Sequence, residues 1–223
     1  MSKKKTGALP PLERRNYSFE VRAEQDEQHG NVIVGRPIVY NSVTDICGMF
    51  AEIIEPGALA GADLTDVRFL VNHDISRIPL ARSRNNNDNS TMLLTVDENG
   101  MGIRATLDTE NNSDARALYS AVSRGDISGM SFMFSVADER WEDENTDYPT
   151  RHILKIASVI EASAVTFPAY PDTEIDARSG ALENARAALE SARKTARKKP
   201  EGDAAALELA KAKIIYGYNL KEE

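Results

Sequence analysis

From Tyr17 to about Thr166, short apolar stretches of strand length recur between turn signals, and this alternation restricts the fold more than any other feature of the chain. Asn31-Val32-Ile33-Val34, Phe50-Ala51-Glu52-Ile53-Ile54 and Val67-Arg68-Phe69-Leu70-Val71 are such stretches. Met92-Leu93-Leu94-Thr95-Val96 and Gly102-Ile103-Arg104-Ala105-Thr106-Leu107 flank Asp97-Glu98-Asn99-Gly100, whose Asn-Gly takes the positive φ values of a hairpin turn. One helix is expected among the strands. Ser113 caps it, Ala115, Leu118, Tyr119 and Val122 repeat at helical spacing, and Gly125 ends it. The expected fold class is α+β, built mainly of strands.

The flanks differ in character. Residues 1–16 are polar, basic and proline-containing without hydrophobic period, and read as a mobile basic arm. After Pro168-Ala169-Tyr170-Pro171 the composition turns to Ala, Glu, Arg and Lys, so that 177–223 reads as a charged helical tail, split by Pro200-Glu201-Gly202. Its leucines are too sparse for a core of its own, which makes it a segment that docks or binds a partner. Between the flanks, 17–176 forms the main domain.

Composition removes several classes of function. No apolar run approaches the roughly 20 residues that span a bilayer, and the lysines at the amino terminus precede no hydrophobic stretch, so a cytoplasmic protein with no membrane partner is expected. A net charge of −8 argues against a nucleic-acid partner. The basic cluster around Arg193-Lys194 reads as a solvated helix face. Cys47 is the only cysteine, which excludes an internal disulfide and leaves too few thiolates for structural zinc; beside Asp45 it reads as a packing residue.

Serine chemistry needs a base to take the hydroxyl proton and a third group to orient that base. Of the three histidines, His29 lies in a polar turn. His73 follows the strand 67–72, and period-two alternation puts it on the side of Val67, Phe69 and Val71. By itself this position suits a hydrogen-bonded structural histidine better than a base. His152 begins a later strand. Ser131 lies in Gly129-Met130-Ser131-Phe132, where the chain passes from a helix end through glycine into a strand; Phe132, Phe134 and Val136 share one face and leave Ser131 on the other. Glu161 is the only charged residue between Ile156 and Tyr170. A buried carboxylate needs a partner. Histidine and backbone amides both meet that need. No Walker-type phosphate loop, nucleotide fingerprint or His-Glu-x-x-His pair is present, and no cofactor is implied.

The combined pattern resembles the prohead protease family of tailed phages. The likeness runs in order through Gly35-Arg36-Pro37-Ile38-Val39-Tyr40-Asn41-Ser42, Glu52-Ile53-Ile54-Glu55-Pro56-Gly57-Ala58-Leu59, Val71-Asn72-His73-Asp74, Arg124 to Phe134, and Glu161-Ala162-Ser163-Ala164-Val165-Thr166-Phe167-Pro168-Ala169-Tyr170-Pro171. Ala162 departs from the valine usual there. The resemblance implies a fold similar to the herpesvirus assembly proteases, a mainly antiparallel β-barrel with surrounding helices, occupying 17–176 as a protease domain. It further implies Ser131 as nucleophile, His73 as general base and Glu161 as orienting group, with His152 as the alternative third member because the herpesvirus enzymes use a second histidine. The implied substrates are scaffolding protein or the amino-terminal segment of the major capsid protein, and the enzyme itself, inside the assembling prohead in the host bacterial cytoplasm. The herpesvirus analogy also carries a homodimer. A noncatalytic assembly factor that binds capsid or scaffold is the competing expectation; it has no need of Ser131 or His73.

Overall fold

The computed structural model describes residues 12–17, 21–166 and 181–198. In chain order the elements are β1 (Leu12–Tyr17), β2 (Val21–Asp26), β3 (Gly30–Val39), β4 (Val43–Ile46), β5 (Phe50–Ile54), β6 (Val67–Val71), β7 (Ala81–Ser83), β8 (Met92–Asp97), β9 (Gly100–Thr106), α1 (Ser113–Ser123), β10 (Gly129–Glu142), β11 (Thr150–Val165) and α2 (Ala181–Lys198). One sheet runs β1-β10-β11-β5-β4, with β6 also pairing β11 and β7 pairing β6; the other runs β2-β3-β9-β8. The named pairings are antiparallel except those of β11 with β5 and with β6. The strand-rich α+β expectation holds. Neither strand order returns to its first strand among the described residues. The sheets are joined where Asn41 N–H donates to the Ile54 carbonyl at 2.9 Å, and where Thr91 N–H donates to the Arg82 carbonyl at 2.9 Å.

The local signals act close to where the sequence puts them, with physical corrections. β8 and β9 form the expected hairpin, but Asp97 pairs with Gly100, so Glu98-Asn99 is the loop. Gly100 has φ +131°, and a Cβ on it would stand 2.0 Å from the Ile38 carbonyl oxygen; close approach of β3 is what demands glycine there. In α1 the cap is Asn112 rather than Ser113, because the Asn112 side chain accepts from the backbone N–H groups of Asp114 (2.9 Å) and Ala115 (3.2 Å). Gly125, with φ +78°, follows the helix as expected.

Cys47 is exposed in the turn between β4 and β5, with φ +53°, so the packing reading is corrected. The mobile-arm reading of 1–16 is corrected at its end: Leu12–Tyr17 is β1, paired antiparallel with β10. Residues 1–11, Phe167 to Pro171 and Pro200-Glu201-Gly202 lie outside the described residues.

The main core lies among the inward faces of both sheets and α1, with Ile33, Ile38, Phe69, Met92, Met101, Phe132, Phe134 and Ile153 fully buried. A smaller cluster forms under α2, where Ala185 and Leu189 meet Ile46 and Phe50 with Trp141 alongside. The first part of the expected tail is thus docked. Arg193 donates to the carbonyls of Glu144 (3.1 Å) and Thr146 (2.9 Å), anchoring the helix, while Lys194 beside it is exposed as expected.

Candidate active site

β11 brings the site together because both of its edges are used. On one side it pairs antiparallel with β10, which sets Ser131 opposite Ser163; on the other it pairs parallel with β6, which sets Leu70 and Val71 beside Ser163 and Ala164. Residues far apart in sequence therefore converge at one end of three adjacent strands.

Strand alternation does not carry through to His73. β6 stops at Val71, and Asn72 and His73 both adopt left-handed backbone, φ +52° and +57°. Such conformations cost on the order of 1–3 kcal/mol each and persist where surrounding bonds over-determine them. Those bonds are present. Asn72 N–H donates to the Ala164 carbonyl at 3.0 Å, Asn72 Nδ2 to Thr166 Oγ1 at 3.0 Å, and Thr166 N–H to Asn72 Oδ1 at 2.9 Å. His73 N–H donates to Ser163 Oγ at 3.1 Å. The turn, not the pleat, aims the imidazole.

His73 Nε2 lies 2.5 Å from Ser131 Oγ and His73 Nδ1 lies 2.5 Å from Glu161 Oε1. The carboxylate accepts the Nδ1–H, which leaves Nε2 facing the serine as acceptor of its proton. Glu161 is 1% exposed and its second oxygen accepts from Ser163 Oγ at 2.5 Å, so the charge that the apolar run buries is hydrogen-bonded on both oxygens. A register shift aims it: Met133 pairs with Glu161 but Phe134 with Val159, which leaves Ile160 as the extra residue of a β-bulge. Ser131 is fully buried beneath β1, and its hydroxyl also reaches the Arg15 carbonyl at 2.8 Å.

Ser131, His73 and Glu161 are thus brought together, and His152 is not. His152 sits near the other end of β11 with Nδ1 at 2.6 Å from Glu55 Oε1. His29 stays in its polar turn, bonded to Asp26 at 3.0 Å. Asp74 closes the turn after His73 by accepting from Ser76 N–H at 3.1 Å. Sequence reasoning passed over Ser163 and the side chain of Asn72. The two-residue spacing of Glu161 and Ser163, which places both on one strand face, is the signal that would have pointed to Ser163. Among the described residues no cluster of three or more His, Cys, Asp or Glu side chains could hold a metal ion.

A hydroxyl, an imidazole and a carboxylate in this order have the connectivity of a serine hydrolase triad. No solved structure matches the chain. The prohead protease of Enterobacteria phage HK97 is 33% identical over 154 residues, which make up 67% of this chain and 60% of that relative. The family described as caudovirus prohead serine protease matches residues 17–187, and on that span the chain belongs to this family.

Proposed function

We propose that this protein is a serine endopeptidase of capsid maturation in which Ser131 is the nucleophile, His73 the general base and Glu161 the group that orients and charge-compensates His73. The unbroken chain from Ser131 Oγ to His73 Nε2, and from His73 Nδ1 to Glu161, carries this reading. Ser131 loses its proton to His73 as its oxygen attacks a peptide carbonyl. Glu161 stabilises the imidazolium, which then protonates the leaving amine, and water releases the acyl-enzyme. The likeness to prohead proteases supports a substrate class of scaffolding protein or the amino-terminal segment of the major capsid protein, and the chain itself, cut inside the assembling prohead in the host cytoplasm.

The same reading includes the herpesvirus-protease-like barrel and a homodimer. The hydrogen bonds that join the two sheets at Asn41 with Ile54, and at Arg82 with Thr91, support the barrel. The dimer rests on the resemblance to the herpesvirus enzymes, and sedimentation of the full chain tests it.

Co-expression with the major capsid or scaffolding protein of the same virus, followed by intact-mass measurement beside Ser131→Ala, tests the function. Defined truncations that vanish in the variant support a maturation protease. Unchanged masses with co-purification of the partner would favour the noncatalytic assembly factor.

A further inference from the structure

β1 is placed as a bound peptide would be. It lies along the outer edge of β10, antiparallel, with Asn16 opposite Ser131 and Arg15 opposite Phe132. Addition of an extended segment to an exposed sheet edge is a general mode of peptide recognition, in which backbone bonds supply affinity and alternate side chains supply selectivity. Here the backbone brings one carbonyl to the nucleophile. The Arg15 carbonyl oxygen is 2.8 Å from Ser131 Oγ, and its carbon lies one C=O bond, about 1.2 Å, from that oxygen. Ser131 has one proton and two acceptors within reach, Arg15 O and His73 Nε2. Turning that proton toward His73 leaves a lone pair of Oγ facing the Arg15 carbonyl.

The alternate side chains, Glu13 and Arg15, are each 4% exposed, unusual burial for ions on an edge strand. Arg15 forms a two-point pair with Glu52 of β5, including Nη2 to Oε2 at 2.7 Å. Glu13 receives two hydrogen bonds from Arg151 of β11, at 2.6 and 2.8 Å, and one from Arg15 at 2.5 Å. Arg151 is also bonded to Glu52 at 3.0 Å and to Glu139 at 2.8 Å. Apolar side chains of similar volume would hold an edge strand at least as well as buried ions, so what the charges add is discrimination between strands. Removing β1 would take Arg15 from the Glu52 carboxylate and Glu13 from the Arg151 guanidinium.

We propose that β1 occupies the substrate groove, that Arg15–Asn16 is the bond presented to Ser131, and that Glu52 and Arg151 are specificity-determining residues. Glu52 selects a cationic side chain immediately before the cut, and Arg151 selects an acid two residues earlier. This rests on the protease reading above. In the step itself the Ser131 Oγ–Arg15 carbonyl carbon bond forms and the Arg15–Asn16 C–N bond breaks. The Ser131 proton passes through His73 to the Asn16 nitrogen. Water then hydrolyses the ester, which leaves Arg15 with a new carboxyl terminus and restores the hydroxyl. Departure of 1–15 opens the edge of β10 to a partner segment of the same charge pattern.

The test is a time course of intact mass on the purified full chain, with labelling of Ser131 by a serine-directed phosphonate run in parallel. The expected result is a cut between Arg15 and Asn16 that is absent in Ser131→Ala, is kept within about tenfold in Arg15→Lys and is slowed about 100-fold or more in Arg15→Glu. Combining Arg15→Glu with Glu52→Arg should restore much of the rate. If cuts fall only elsewhere, or the Arg15–Asn16 cut proceeds equally in Arg15→Glu, the groove assignment is overturned and the protease reading stands. Labelling of Ser131 without any cut has the same meaning. Neither cutting nor labelling would sink the protease reading as well.

Discussion

The Ser163 hydroxyl ties His73 to Glu161 twice over, accepting from the His73 backbone N–H at 3.1 Å while donating to the Glu161 carboxylate oxygen that His73 does not use. The Ser163 hydroxyl acts through His73 and Glu161, so Ser163 is a positioning residue. Ser163→Ala should lower kcat about tenfold with little change in KM, and Ser163→Thr should recover part of the loss. An equal loss in both variants, accompanied by a lower urea midpoint, would mark the serine as merely structural.

Ser131→Ala and His73→Ala should each abolish proteolysis without unfolding the domain. Glu161→Gln is the more informative change. Its amide can donate to His73 Nδ1, which favours the tautomer whose Nε2 already carries a proton and cannot accept that of Ser131. Loss in kcat of up to about 10⁴ is expected, with substrate binding kept. Peptide hydrolysis and circular dichroism on the three variants check this together.

Asn72 makes the left-handed turn affordable by exchanging two hydrogen bonds with Thr166. Asn72→Ala removes both bonds and keeps a Cβ where φ is positive, so a loss of about 1–3 kcal/mol is expected in urea unfolding. Asn72→Gly removes the same bonds but relieves the backbone, and should lose less. Ordering of the two variants, more than either value, decides whether the strain is real.

The buried network beneath β1 has a pH signature. Burial pushes the Glu13 carboxyl up, but the guanidiniums of Arg151 and Arg15 outweigh it and hold the group below its ordinary value of 4.5. A folded-state value below the unfolded one means stabilisation present above pH 4.5 and lost as pH falls through the folded-state value. Urea midpoints of Ser131→Ala, chosen to keep the chain whole, should hold nearly level from about pH 7 to 5 and drop below about pH 4. Adding Arg151→Ala leaves Glu13 and Glu52 to share the single guanidinium of Arg15 and should cost about 3–5 kcal/mol at neutral pH. It should also flatten the acid limb, because one of the two guanidiniums that depress the Glu13 value is gone.

Local pattern determined much of this molecule. Period-two apolar stretches defined β5, β6 and the β8–β9 hairpin, helical spacing with a following glycine defined α1, and a lone carboxylate in an apolar run singled out Glu161. Ordered blocks pointed to Ser131 and His73. What local pattern carries is which face of an element is buried and where the chain turns; it does not carry which strand lies beside which. Only the tertiary structure set β6 parallel beside β11, stopped the pleat at Val71 so that a left-handed turn aims His73, and drew Ser163 into the site. It also took Leu12–Tyr17 from the expected arm and laid it over Ser131. That strand has no apolar alternation to announce it, because its buried side chains are ions whose partners, Glu52 and Arg151, arrive from distant parts of the chain.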